Sequence, residues 1–139
     1  MAAPLSPDVL NLLSLCLIIA DGNREAQYCS RAIPMDGVIV IVAYRPKPEK
    51  ENELLGLVRS RVPALRREGL ATDRAPIMMR ARDGTIIEVS EWKSQEAIDA
   101  AHKNPNFLAM WNKFFAICDC VPFKTLAEAE EMFPNFEPL

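Results

Sequence analysis

A run of β-branched residues from Val38 to Tyr44 constrains the fold of this chain more than any other stretch of its sequence. The segment VIVIVAY lies between Asp36-Gly37 and Pro46, a context that favours a single β-strand. Successive side chains of a strand point to opposite sides, so this sequence places apolar residues on both faces. Both faces of the sheet that contains this strand must therefore be covered.

A helix is predicted for residues 48–68, and Gly69 can take the left-handed conformation that ends it. Apolar residues recur at the spacing of one buried helical face, and they are Leu54, Leu55, Val58, Val62 and Leu65. Arginines alternate with these positions, and they are Arg59, Arg61, Arg66 and Arg67. We therefore expect the arginines to lie on the solvated face of the helix.

A β-hairpin is predicted next, with strands at residues 76–82 and 85–92. The dipeptide Asp83-Gly84 between them favours a turn whose loop is two residues long. In the register that such a turn sets, Met79 pairs with Glu88. The two side chains would then share one face of the sheet.

The last third of the chain predicts two consecutive helices and a final strand. Ser94 can cap a helix over residues 95–103, and Asn104-Pro105 then starts a second helix. The second helix carries one wide apolar stripe, formed by Phe107, Leu108, Trp111, Phe114, Phe115 and Cys118. A short strand over residues 118–123 and a terminal helix over residues 126–132 complete the domain.

The predicted order is strand, helix, strand, strand, helix, strand. This order is the split β-α-β arrangement of ferredoxin-like α+β folds, with a four-stranded antiparallel sheet. The helices can cover only one face of such a sheet, and an exposed apolar second face marks an interface. We expect a second copy of the chain to pack sheet to sheet and close a barrel-like dimer, whose interior can hold a small ligand. In the alternative, the chain is a monomer whose N-terminal segment covers this face.

The sequence divides into an N-terminal appendage, residues 1–34, and a domain over residues 35–139. The apolar run from Val9 to Ala20 resembles the middle of a signal peptide, but no Lys or Arg precedes it. The alternatives are an extra partner-binding helix, or translation from an upstream start with Met35 as the first residue of the functional protein. No run reaches the roughly 20 apolar residues that cross a bilayer. We expect a cytoplasmic protein without a membrane partner.

Composition excludes several classes of function for this chain of 139 residues with a net charge of -3. No stripe of Lys and Arg is long enough to bind nucleic acid. Four cysteines are too sparse for a disulfide scaffold. The Cys118-Asp119-Cys120 triplet has no third cysteine nearby and the chain has a single histidine, so a zinc site is not expected. The sequence has no glycine-rich phosphate loop and no dinucleotide fingerprint. We therefore expect no metal and no tightly held cofactor.

The region after the hairpin resembles a known family. The pattern consists of Glu91-Trp92-x-Ser94-x-Glu96-Ala97, then Ala101-His102, then Asn104-Pro105-x-Phe107. It is similar to the signature region of the antibiotic biosynthesis monooxygenase family, and the resemblance covers about residues 36–123. The resemblance implies a dimeric α/β-barrel domain. Family members include enzymes that oxidise polyketide-like phenols with molecular oxygen and no cofactor, and haem-degrading enzymes.

The chain also departs from this family at several positions. Many relatives carry a second histidine where this chain has Asn106. The tryptophan and histidine of the haem-degrading members correspond to about Ala101 and Trp111, and their first-strand asparagine is absent from residues 38–44. The resemblance therefore does not extend to haem cleavage.

Two residues are candidates for proton transfer with a small phenolic or enolic substrate. His102 has the only side chain that ordinarily titrates near neutral pH, so it is the default proton acceptor. Glu88 is expected to be desolvated among apolar neighbours, which would raise its pKa and suit a proton shuttle. In the alternative, His102 is a surface or core residue without a catalytic role.

The substrate-binding candidates are Trp92, Tyr44, Trp111 and Met79. Trp92 ends the second hairpin strand and can stack on an aromatic substrate, although such residues are also common packing elements. The family resemblance, taken with these residues, thus implies a cofactor-independent monooxygenase that acts on an aromatic or quinone-like molecule. In the alternative, the chain is a non-catalytic dimeric domain that binds a small apolar ligand or serves as an assembly module.

Overall fold

A computed structural model of the chain describes residues 37–139. The appendage predicted for residues 1–34 lies outside the described residues. The elements in chain order are strand β1 (Val38–Pro46), helix α1 (Glu51–Arg67), strands β2 (Ile77–Arg80) and β3 (Ile86–Trp92), helices α2 (Gln95–Ala101) and α3 (Pro105–Ile117), and strands β4 (Cys118–Val121) and β5 (Glu137–Pro138). Two short 3-10 turns, Phe123–Thr125 and Ala127–Glu130, lie between β4 and β5.

The strands form one antiparallel sheet in the order β4-β1-β3-β2-β5. The first four strands have the predicted ferredoxin-like arrangement. The fifth strand was not predicted, because its two residues lie in a proline-containing tail with no strand pattern. The terminal helix predicted for residues 126–132 is a single 3-10 turn instead.

The three helices α1, α2 and α3 lie on one face of the sheet, and the hydrophobic core fills the space between the two layers. Tyr44 and Ile86 from the sheet contact Leu54 and Val58 of α1 and Phe114 of α3. Within residues 37–139, no helix is long and apolar enough to cross a membrane.

Helix α1 begins at Glu51, later than the predicted start at residue 48. Glu49 takes a positive φ of 64°, which a right-handed helix does not allow. At the other end, Gly69 has a φ of 71° and ends the helix as predicted.

The opposite sheet face, here called the open face, is apolar and only partly covered. Ile39, Ile41 and Ile77 point to this side and are 54%, 50% and 61% exposed. At the other end of the face, Leu126 from the C-terminal segment packs on Ala43 and Ile87. The described part of the chain therefore leaves one end of the apolar face in contact with solvent, as the two-sided pattern of β1 predicted.

The β2–β3 hairpin has a different register from the predicted one. Gly84 takes a φ of 89° and donates its N–H to the Ala81 carbonyl at 3.0 Å, which makes a loop of three residues. The extra loop residue shifts the pairing by one, so Met78 lies opposite Glu88, and Met79 lies opposite Ile87. A shift of one residue moves every side chain of a strand to the other face. Met79 therefore lies on the open face, away from Glu88.

Ser94 caps helix α2 as predicted, and its Oγ accepts a hydrogen bond from the Ala97 N–H at 3.1 Å. We expect Ser94→Ala to lower the free energy of unfolding by about 1 kcal/mol, because the replacement leaves this N–H without a cap. Urea unfolding measures the change. Ser60→Ala is the matched control, since Ser60 lies inside α1 and is exposed. A Ser94→Ala variant as stable as this control would contradict the capping role.

Candidate active site

A buried ion pair lies between helix α1 and the sheet. Arg61 of α1 donates a hydrogen bond from its guanidinium to the Glu88 carboxylate on β3, and the two residues are 1% and 0% exposed. Moving a single charge out of water costs several kcal/mol, so each of these charges depends on the other. Ser90, two residues further along β3, accepts a longer hydrogen bond from Arg61 at 3.5 Å.

Two tryptophans flank the Arg61 guanidinium. Its central carbon lies 5.6 Å from the ring centroid of Trp92 at the end of β3, and also 5.6 Å from that of Trp111 on α3. A guanidinium is attracted to the faces of aromatic rings, and the attraction is stronger away from water. The tryptophans therefore hold Arg61 between the helices and the sheet.

Several buried polar atoms around this pair have no hydrogen-bond partner within residues 37–139. They are the Tyr44 hydroxyl, Arg61 Nε, Glu88 Oε2 and Trp92 Nε1. Buried polar groups are nearly always hydrogen bonded, and those left over often mark a site for a ligand or bound water. We refer to Tyr44, Arg61, Glu88, Trp92 and Trp111 as the buried cluster.

The surroundings of the buried cluster shift the proton affinities of two of its members. Burial raises the pKa of Glu88, and the attraction and hydrogen bond of Arg61 oppose this effect. Burial also raises the pKa of Tyr44, so its hydroxyl keeps its proton and can donate it to a hydrogen bond. The cluster therefore combines a carboxylate that binds protons more readily than usual, a fixed cation and two neutral donors.

A groove lies between helices α1 and α3, on the side of these helices that faces away from the sheet. It contains two adjoining cavities of about 290 Å³ and about 410 Å³, and Leu57, Ser60 and Lys113 line both. Leu57 and Ser60 belong to the same turns of α1 as Arg61. Phe107 also lines the groove, and its ring packs edge-on against Trp92 and Trp111 at 5.8 Å from each. Phe107 thus separates the groove from the buried cluster.

Comparison with protein-family models identifies the chain. The model described as antibiotic biosynthesis monooxygenase matches residues 37–113, which is more than half of the 139 residues. The chain belongs to the antibiotic biosynthesis monooxygenase family. Comparisons with curated proteins and with solved structures find no match.

The family region runs from the start of β1 into α3 and includes every member of the buried cluster. Of the residues predicted from the sequence, the structure brings Tyr44, Glu88, Trp92 and Trp111 together on the helix side of this family domain. The burial predicted for Glu88 is confirmed. Met79 does not join them, because it points to the open face.

His102 lies apart from the buried cluster. It is the C-cap residue of α2 and is exposed, and its ring centroid is 6.4 Å from that of Phe107. Phe107 in turn packs on the tryptophans that flank Arg61. The structure therefore does not bring His102 and Glu88 to one internal site in this family member.

The sequence interpretation missed Arg61, which was assigned to the solvated face of α1. Position 61 follows Val58 by three residues and precedes Leu65 by four, so it lies within the apolar stripe of the helix. The other signal was Glu88, because a carboxylate expected inside the domain needs a cationic partner. Among residues 37–139, no group of three or more potential ligand side chains is placed to hold a metal ion.

Proposed function

We propose that the chain is a cofactor-independent monooxygenase of this family, which oxidises a small aromatic hydroxy compound at the buried cluster. The observation that carries the proposal is the set of unpartnered polar atoms on Tyr44, Glu88 and Trp92 around the Arg61 guanidinium. These atoms can hold a planar aromatic ligand with one acidic hydroxyl. The tryptophan rings supply surfaces against which such a ligand can stack.

In the first step, Glu88 accepts the proton of the substrate hydroxyl. Its free oxygen Oε2 has no partner among the described residues, and its raised pKa brings its proton affinity closer to that of a phenol. The phenolate that forms lies beside the Arg61 guanidinium. A fixed cation and the Tyr44 hydroxyl stabilise this developing negative charge in a site without bulk water.

In the second step, the electron-rich phenolate reacts with molecular oxygen at a ring carbon. The ring loses its hydroxyl hydrogen and one ring hydrogen and gains one oxygen atom as a second carbonyl. The other oxygen atom leaves as water with these two hydrogens. A phenol and O₂ therefore give a quinone and water, and the protein supplies binding and proton transfer.

The substrate enters through the groove between α1 and α3. The two cavities have volumes typical of sites for small molecules. Phe107 and the flexible side chain of Met110 line the groove and are the residues that must move to admit a ligand to the cluster.

The functional unit is a homodimer that forms through the open face. Three isoleucines about half exposed on one sheet face are more than an isolated domain usually leaves in water. A second copy of the same face is self-complementary and closes a barrel of two sheets. The family resemblance implies the same arrangement.

We expect oxygen uptake when the protein is mixed with phenols, naphthols and related compounds, with a quinone formed for each O₂ consumed. Glu88→Gln should lower the rate by roughly 100-fold or more, since it removes the proton acceptor. Tyr44→Phe should also lower the rate but not the stability, because its hydroxyl has no partner among the described residues. An oxygen electrode and quinone absorbance measure the rates.

His102→Ala separates the two candidate proton acceptors. Unchanged uptake in His102→Ala together with loss in Glu88→Gln supports the buried cluster, whereas the reverse result assigns proton transfer to His102. The exposed position of His102 also favours a second candidate function, binding of a small apolar ligand without turnover. Ligands that raise the melting temperature without any oxygen uptake would support this second function.

A further inference from the structure

Strand β4 carries two thiols on one side of an edge strand. Cys118 and Cys120 alternate with Asp119, and they lie opposite Pro46 and Tyr44 of β1. Cys118 is 1% exposed and packs in the core, whereas Cys120 is exposed. Within the described part of the chain, β4 is at the end of the sheet and pairs only with β1. The Cys120 thiol is therefore open to small reagents, whereas the Cys118 thiol is shielded from them.

The surroundings of Cys120 favour its thiolate form. The Cys118 thiol stabilises the Cys120 thiolate and lowers its pKa, and the nearby Arg61 acts in the same direction, while burial and Asp119 oppose them. The partner thiol shows the opposite change, since interaction with Cys120 and burial raise the pKa of Cys118. An exposed thiol with a lowered pKa beside a second thiol is the arrangement found in oxidation-sensitive cysteine pairs.

We propose that Cys118 and Cys120 form a reversible peroxide-sensitive dithiol. In the first step, the Cys120 thiolate attacks one oxygen of hydrogen peroxide, the O–O bond breaks, and hydroxide leaves and is protonated to water. In the second step, the Cys118 sulfur attacks the resulting sulfenic acid, an S–S bond forms, and the S–O bond breaks. The departing hydroxide takes the Cys118 proton. Two thiols and one peroxide thus give one disulfide and two waters.

The strand geometry makes this disulfide easy to reverse. Residues i and i+2 of a strand lie about 6.6–6.8 Å apart at their Cα atoms, at the upper end of the roughly 4.4–6.8 Å range for disulfides. The strand must bend to close the bond, and strained disulfides are reduced more readily than relaxed ones. The oxidised pair is therefore expected to reopen with a mild thiol reductant.

Formation of a disulfide between Cys118 and Cys120 would also affect the buried cluster. The Cys118 N–H donates to the Phe114 carbonyl in the last turn of α3. The Phe114 ring stacks on Tyr44, with 5.1 Å between the ring centroids. A movement of Cys118 toward Cys120 therefore acts on the helix end that supports Tyr44.

Mass spectrometry of the full chain tests the proposal directly. Trypsin cleaves after Lys113 and Lys124 and releases one peptide, residues 114–124, that contains both cysteines and no others. The native protein is treated with hydrogen peroxide and alkylated, in a Cys16→Ser/Cys29→Ser background that removes competing thiols. We expect this peptide to lose two hydrogens, and to gain two alkyl groups again after reduction. Full alkylation of both thiols after peroxide treatment would overturn the proposal.

Single variants check the assigned order of reaction. In Cys118→Ser, we expect Cys120 to stop at a sulfenic acid that dimedone traps. In Cys120→Ser, we expect Cys118 to react at least about 10-fold more slowly than Cys120 does in Cys118→Ser, because it is buried. Equal reactivity of the two single variants in the native state would contradict the proposal, as would dimedone labelling of Cys118 alone. Unchanged melting temperatures show that both variants are folded.

Discussion

Replacing Arg61 with methionine should lower the free energy of unfolding by about 3–5 kcal/mol. Methionine keeps much of the apolar stem of the side chain but removes the charge. Glu88, which is 0% exposed, then lies in the interior without its cationic partner. Water cannot take the place of the missing guanidinium there. Removal of one partner from a buried pair is costly because it leaves the other charge desolvated. Urea or guanidinium unfolding followed by circular dichroism measures the change.

Two matched variants separate this effect from a general loss of packing. In the double variant Arg61→Met/Glu88→Met both charges are absent, and we expect most of the lost stability to return. Arg80→Met makes the same substitution at an arginine that is 26% exposed and pairs with Glu51 and Glu137, so its cost should stay below about 1 kcal/mol. A double variant that is less stable than Arg61→Met would contradict the dominant role of the unpaired carboxylate.

The pH dependence of the Arg61→Met variant provides an independent check. Burial raises the pKa of Glu88 and Arg61 opposes it, so the pKa should rise further once Arg61 is gone. The folded state then binds a proton in a pH range where the unfolded chain has lost it. Stability therefore falls as the pH rises from the ordinary pKa of glutamate to the raised pKa of the folded state. We expect a small difference from the wild-type protein at acid pH and the full difference above that range.

Replacing Ile41 with glutamate should weaken the proposed dimer by roughly 30- to 1,000-fold, which corresponds to about 2–4 kcal/mol. Ile41 is 50% exposed on the open face, between Ile39 and Ala43. In a symmetric pair each copy would place this carboxylate in the apolar contact, where the two charges repel each other and lose water. Sedimentation velocity over a range of concentrations measures the dissociation constant.

Leu108→Glu is the matched control for Ile41→Glu. Leu108 is 48% exposed but lies on α3, on the other side of the sheet. We expect this variant to keep the association of the wild-type protein. A wild-type chain that remains monomeric at micromolar concentration would contradict the dimer, and it would favour the alternative in which residues 1–34 cover the open face.

The spacing of apolar residues predicted the fold well, because it shows which faces of each strand and helix are buried. The alternation in β1 required two apolar faces, and the order of strands and helices then left few arrangements of the sheet. The hairpin register was wrong because Asp83-Gly84 fits both a two-residue and a three-residue loop. The choice between them depends on packing on both faces, which a local dipeptide does not contain.

The candidate site was predicted only in part, for the same reason. Glu88 and Trp92 share one face of the sheet as predicted, because alternate residues of β3 point to the same side, and Glu88 is buried as predicted. Arg61 was missed because arginine is usually exposed, and its burial depends on Glu88, 27 residues away in sequence. The exposure of His102 depends on how α2 and Phe107 pack, and neither its uniqueness in the sequence nor the family resemblance determines this packing.

The two-residue strand β5 protects one edge of the sheet from pairing with another strand. It adds Glu137–Pro138 along the β2 edge, where proline has no N–H to offer to another strand. A charged residue next to a proline blocks lateral growth of the sheet at that side. Growth of the sheet into an open fibril, which needs both edges to be free, is therefore blocked at this edge.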